Sequence, residues 1–168
     1  MKATRKLLYL ALFTAQSLAL FLFEGLIPLP FTVPGAKLGL ANVITVTALY
    51  YFPQAKDVFI IVLMRTVLAS FFGGGPTVWL FSVTGGFFSL AVMALLKAGG
   101  RFSLPTVSAA GGFAHNLAQL AVAYFLLDAP GLWLYFPLLG IAGLGTGLLI
   151  GIATMGVLKK IPPWRGEK

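Results

Sequence analysis

The chain contains no cysteine, which excludes disulfides, thiol catalysis and cysteine-held metals. It has one histidine and only four acidic residues, set against twelve lysines and arginines. Charged residues make up 10% of the 168 positions, where a water-exposed domain carries roughly 25%. So little charge cannot keep a protein surface hydrated, and no stretch is long enough to form a separate soluble domain. The lone histidine, His115, has no second histidine or carboxylate beside it. It is a poor metal ligand, and no metal or cofactor is expected. As a general base it would lack a carboxylate or nucleophile to work with.

What the chain does have is oil-like sequence. Hydrophobic residues reach 59% and the mean hydropathy is +0.96, so lipid is the expected solvent for nearly all of it. Met1–Lys6 followed by an apolar run resembles a signal peptide. That run exceeds signal-peptide length and further apolar runs follow it, so it reads as a retained first helix. The net charge of +8 does not point to nucleic acid, because the basic residues lie between apolar runs and do not form one polar face.

Cutting the apolar runs at turn residues and charges predicts an all-α, polytopic membrane protein. It forms a single domain over 1–168 with six transmembrane helices, about 7–23, 38–52, 58–72, 77–96, 105–127 and 132–158. A span needs about 17 to 25 residues, so the second and third are short and the sixth long enough to tilt. Exposed backbone is not tolerated in lipid, hence helices. Alternate gaps then collect Lys2, Arg5, Lys6, Lys56, Lys97, Arg101, Lys159, Lys160, Arg165 and Lys168 on one side and Lys37 on the other. By the positive-inside rule both termini are cytoplasmic, in the cell (plasma) membrane. A faint echo between 39–52 and 112–125, in spans of opposite direction, would fit an inverted three-plus-three repeat.

Polar side chains are costly inside a bilayer, so those in the spans are the functional candidates. They are Gln16, Asn42, Arg65, His115, Asn116 and Gln119, with Glu24 and Lys37 at the outer rim. Arg65 lies near the middle of the third run, where an unpaired charge costs at least about 2.5–3.5 kcal/mol. It must find either Glu24 or backbone carbonyls, or bind an anionic group of a ligand. His115 and Gln119 share a helix face with Asn116 beside them, about 15 Å into the bilayer at His115. They either tie helices together or line a cavity. Lys37 either snorkels or joins Arg65 and His115 in a cationic pocket suited to carboxylate or phosphate. Pro28, Pro30 and Pro34 precede it in a loop that could act as a lid. Ala11, Ala15 and Ala19 make a small-residue stripe where another helix can approach, either within the bundle or in a partner. Gly140, Gly143, Gly147 and Gly151 make a second stripe, with Gly145 off its face.

Several runs resemble the Gx transporter family, also labelled heptaprenyl diphosphate synthase component I. They are 29–45 (LPFTVPGAKLGLANVIT), 62–65 (VLMR), the 73–75 glycines, 82–86 (SVTGG) and 114–119 (AHNLAQ). That family is similar to the substrate-binding S components of energy-coupling factor (ECF) importers. The resemblance implies a six-helix bundle whose outward ligand site is capped by the loop between helices 1 and 2. It also implies an alanine-every-four first helix, matched by Ala11, Ala15 and Ala19, that docks an ECF coupling subunit served by ATPase subunits. The chain has no P-loop of its own. The expected function is therefore binding a small, anionic, vitamin-like or isoprenoid/quinone-related metabolite for an ATP-driven importer, with no enzymatic activity. The alternative is a non-transport accessory subunit or scaffold for polyprenyl diphosphate synthesis. Catalysis by the chain itself is not expected. By resemblance, prenyl synthases use aspartate-rich motifs, and this chain has only Asp57 and Asp128.

Overall fold

Long apolar runs broken by Gly, Pro and charge leave the backbone one economical solution, the α-helix, in which every interior N–H and C=O is bonded within the segment. The computed structural model describes residues 2–26 and 39–164. It contains six α-helices: α1 (Lys2–Glu24), α2 (Leu40–Tyr51), α3 (Ala55–Ala69), α4 (Gly75–Ala98), α5 (Leu104–Leu127) and α6 (Phe136–Lys160). A π-helical turn, Ser70–Gly74, joins α3 to α4, and a 3₁₀ turn, Pro130–Tyr135, leads into α6. No strand occurs among the described residues. Lys37, with Pro28, Pro30 and Pro34 of the loop before it, lies outside the described residues, as do Arg165 and Lys168.

Four stretches are long and apolar enough to cross a membrane: Thr4–Glu24, Gly75–Ala98, Leu104–Leu127 and Pro130–Lys160. The chain is thus a multi-pass membrane protein in build. α2 is shorter than the expected 38–52 span, and α3 has the length of the expected 58–72 span but begins and ends three residues earlier. At 1.5 Å per residue they are about 18 and 22 Å long, against about 30 Å of hydrocarbon. Three sequence features set these ends. Gly39 precedes α2 at φ +83, a left-handed conformation that glycine adopts without strain. Pro53 follows Phe52, the residue that caps the end of α2. At the other end of α3 the helix widens into the Ser70–Gly74 turn before Gly75, which is also at positive φ. The expected sixth run, 132–158, divides at Phe136 between the 3₁₀ turn and α6.

Successive helices run antiparallel, so the starts of α1, α3 and α5 meet the ends of α2, α4 and α6. The described basic residues outside the spans gather there, and we call it the basic end. Lys6 Nζ pairs with Asp57 at 2.8 Å across α1 and α3. Lys97 donates to the Leu49 carbonyl, fastening α4 to α2. Trp164, beyond α6, packs its ring on Tyr9, Tyr51 and Phe52. The core above these contacts includes Val46, Leu49, Phe52, Val58, Ile61, Val62, Met93 and Val107.

α5 and α6 share the closest approach, and glycine makes it. Methyl groups built at Gly147 and Gly151 would meet the Ser108 carbonyl and the Pro105 Cα at 2.5 and 2.6 Å. One at Gly140 would meet the Phe113 ring at 3.0 Å, while Gly145 has nothing within 4 Å. The expected stripe is therefore the α5 contact, with Gly145 turned outward. The proposed echo pairs unlike environments at its first position: Gly39 begins a helix, whereas Gly112 lies inside one against Gly143.

Candidate functional site

Arg65 is carried by α3 into the middle of the bundle, where it is 3% exposed. Its Nε and Nη2 have no hydrogen-bond partner among the described residues. The face of the Phe21 ring on α1 lies 5.8 Å from Cζ, in reach of a cation–π attraction. Burying a guanidinium this deeply with donors unused is expensive.

Two consecutive glycines on α4 make room for it. A Cβ at Gly86 would lie 3.3 Å from Arg65 Nη2 and 3.0 Å from Val62 Cγ1. A Cβ at Gly85 would lie 2.8 Å from His115 Cε1 and 2.9 Å from Nδ1. His115, on α5 and 8% exposed, thereby fits against bare α4 backbone, and its Nδ1 also lacks a hydrogen-bond partner among the described residues. The imidazole and the guanidinium are within electrostatic reach of each other. α3, α4 and α5 thus converge on one small volume holding two nitrogen-rich side chains with unused hydrogen-bonding capacity.

Glu24 closes the volume from α1. It is 3% exposed, and its carboxylate oxygens accept the Gly39 N–H at 2.6 Å and the Leu40 N–H at 3.0 Å. A carboxylate at a helix N-terminus satisfies orphan donors and complements the dipole. The same carboxylate acts electrostatically on Arg65. Glu24 therefore links the start of α2 to the buried guanidinium.

The remaining sequence candidates separate. Gln119, one turn beyond His115 on α5, is buried at 9% and continues the same face. Asn116, although adjacent to His115, turns to α6 and donates to the Leu139 carbonyl at 2.8 Å. Asn42 is half-buried, its amide beside Gly39. Ala11, Ala15 and Ala19 are all exposed along one face of α1, and so is Gln16. Sequence reasoning gave no site role to Gly85 and Gly86, which it quoted only within the 82–86 run, and none to Phe21. The adjacent glycines inside an apolar run were the available signal for the first two, since such a pair marks close approach.

The sequence profile of the family described as heptaprenyl diphosphate synthase component I matches residues 13–157. The chain belongs to the heptaprenyl diphosphate synthase component I family. The match spans every helix that contributes to the Arg65 cluster, so the site is part of the family's common region. No curated protein and no solved structure matches the chain. In this component I chain the two aspartates stand at opposite ends of the bundle. Asp57 is paired with Lys6 at the start of α3, and Asp128 ends α5 at φ +45. No cluster of three or more metal-ligating side chains occurs among the described residues.

Proposed function

We propose that this chain is the substrate-binding membrane subunit of an ATP-driven importer of the ECF type. All six helices are embedded, with both termini in the cytoplasm, and Arg65 receives a small anionic metabolite. One observation carries this reading: a guanidinium 3% exposed keeps Nε and Nη2 without a hydrogen-bond partner among the described residues. A structural arginine buried in lipid spends its donors on backbone or carboxylate, because each unmade bond costs about 1–3 kcal/mol or more. Donors held free beside a second orphan nitrogen, His115 Nδ1, suit a carboxylate or phosphate oxygen that arrives with cargo. Gln119, on the same α5 face, adds an amide that can donate to cargo or accept from it. Asn42 lies at the mouth of the same volume by way of Gly39, and Lys37 is the cation we assign to its outer rim.

The short helices fit this role. α2 starts at the level of Glu24, the last residue of α1, whose carboxylate holds its first N–H groups. Membrane transporters likewise use short or broken helices whose termini line a binding site. The exposed Ala11, Ala15 and Ala19 supply a smooth face for a coupling subunit, and Gln16 on that face is a polar group that lipid tails would not satisfy. We assign energy supply to ATPase subunits, and no bond chemistry to this chain.

The family description favours a second reading, a membrane accessory of polyprenyl diphosphate synthesis. One experiment separates the two. The full-length protein is purified from its native membrane and weighed by native mass spectrometry. A small anionic metabolite retained by the wild type and lost from Arg65→Ala supports transport, as does copurification of ATPase subunits that weakens with Ala15→Leu. Copurification with a soluble prenyl synthase, with no metabolite dependent on Arg65, would replace the transport reading with the accessory one.

A further inference from the structure

A cavity of about 530 Å³ opens at the basic end, away from Arg65. Its walls are Tyr50 and Phe52 at the end of α2, Pro162, Pro163 and Trp164 beyond α6, and Lys97 from α4. Trp164 is wedged in place by rings on three sides, with centroids 5.1 Å to Phe52, 5.3 Å to Tyr9 and 5.7 Å to Tyr51. The segment after α6 therefore folds under the bundle and forms a wall of the cavity.

Lys97 is the one charged group among the lining residues. Its ammonium lies over the Tyr50 ring at 5.0 Å and donates one hydrogen bond, to the Leu49 carbonyl. An ammonium has three N–H donors, so two remain for an occupant. Lys159 and Lys160 follow the lining residue Leu158 and are exposed. Lys97, Lys159 and Lys160 are thus the cations on or next to the lining, the Asp57 carboxylate at this end is buried against Lys6, and the floor is aromatic and proline-rich. Aromatic side chains with lysine above them mark the level where lipid headgroups meet hydrocarbon, and the volume falls in the range of ligand pockets.

We infer that the Lys97 cavity at the basic end binds the phosphate headgroup of an anionic amphiphile, with the first carbons of its chain lying on Tyr50, Phe52 and Trp164. The shared chemistry is a phosphate ester or diphosphate carrying a hydrocarbon tail, supplied either by the bilayer itself or by an isoprenoid. This site is independent of the Arg65 cluster. Lys97 also has a competing structural role, since its bond to Leu49 closes the end of α2 and a cation there complements the helix dipole.

The test must separate these roles. Full-length protein in maltoside detergent is titrated, in separate arms, with phosphatidylglycerol and with farnesyl diphosphate, and occupancy is read by native mass spectrometry. Lys97→Gln keeps a donor for the Leu49 carbonyl and removes the charge, while Lys97→Arg keeps both. The expected result is saturable binding of at least one probe, weakened on the order of tenfold in Lys97→Gln and retained in Lys97→Arg. Binding of phosphatidylglycerol alone names the bilayer as the source, and binding of farnesyl diphosphate alone names an isoprenoid. Absence of saturable binding in both arms overturns the proposal, as does equal binding by folded Lys97→Gln, and Lys97 is then only the fastening of α4 to α2.

Discussion

Gly85 and His115 face each other so closely that a methyl group on residue 85 would fall 2.8 Å from the imidazole Cε1. The ring is rigid and touches at three atoms, whereas the methyl of Gly86→Ala would meet only the ends of Val62 and Arg65. Overpacking of this kind costs about 1–3 kcal/mol. Gly85→Ala is expected to lower thermal stability in detergent by that amount, and Gly86→Ala by less. Adding His115→Ala to Gly85→Ala should recover most of the loss, because the missing ring leaves space for the methyl. Additive losses in the double variant would mean that the ring and the glycine do not share the volume described.

The Glu24 carboxylate holds the first two N–H groups at the start of α2. Glu24→Ala leaves both donors without that partner in a lipid-surrounded site, a cost of about 1–3 kcal/mol. Glu24→Gln retains one acceptor oxygen and should lie between the two. Hydrogen exchange reads the effect locally, so the Gly39 and Leu40 amides should exchange faster in Glu24→Ala while α5 amides do not change. Uniform acceleration across all helices would show that Glu24 supports the whole bundle and does not act at this helix start alone.

Much of this site was legible before any coordinates, and for a physical reason. Arg65 and His115 stood out because polar groups in an apolar run are few and costly. The Gly140, Gly143, Gly147 and Gly151 stripe stood out because small residues at helical spacing announce close approach. What stayed hidden depends on chain paths that no spacing encodes. Glu24 reads as a rim charge until α1 and α2 are seen to bring it over Gly39, and Trp164 reads as tail until its ring is seen among Tyr9, Tyr51 and Phe52. Asn116 and His115 are sequence neighbours, yet the 100° step of a helix gives one to α6 and the other to α4. The shortness of α2 was blurred because apolar residues continue past the helix end in both directions.

Lys6 and Asp57 join α1 to α3 at the basic end, and the carboxylate is 2% exposed while the lysine is 25% exposed. Removing the cation strands a buried charge, which is worse than removing both partners. Lys6→Ala should therefore destabilise by about 1–3 kcal/mol, and Lys6→Ala with Asp57→Asn by less. Unfolding monitored by tryptophan fluorescence in a mild detergent titrated with a denaturing one reads both. If the double variant is the weaker, the pair is not what binds these helices.

The contact between α5 and α6 gives the sharpest contrast between two glycines of one helix. A methyl on Gly147 would lie 2.5 Å from the Ser108 carbonyl oxygen and 2.8 Å from the Ala109 Cα, both backbone atoms that cannot swing aside. A methyl on Gly145, two residues earlier, meets nothing within 4 Å. Alanine in place of glycine favours a helix by up to about 1 kcal/mol. Gly145→Ala should thus be neutral or slightly stabilising, and Gly147→Ala should force the helices apart at a net cost of about 1–3 kcal/mol. Since both changes add the same methyl to the same helix, helix propensity offers no reason for opposite signs. Thermal unfolding of the two variants side by side decides it, and equal shifts would mean that Gly147 does not sit against α5.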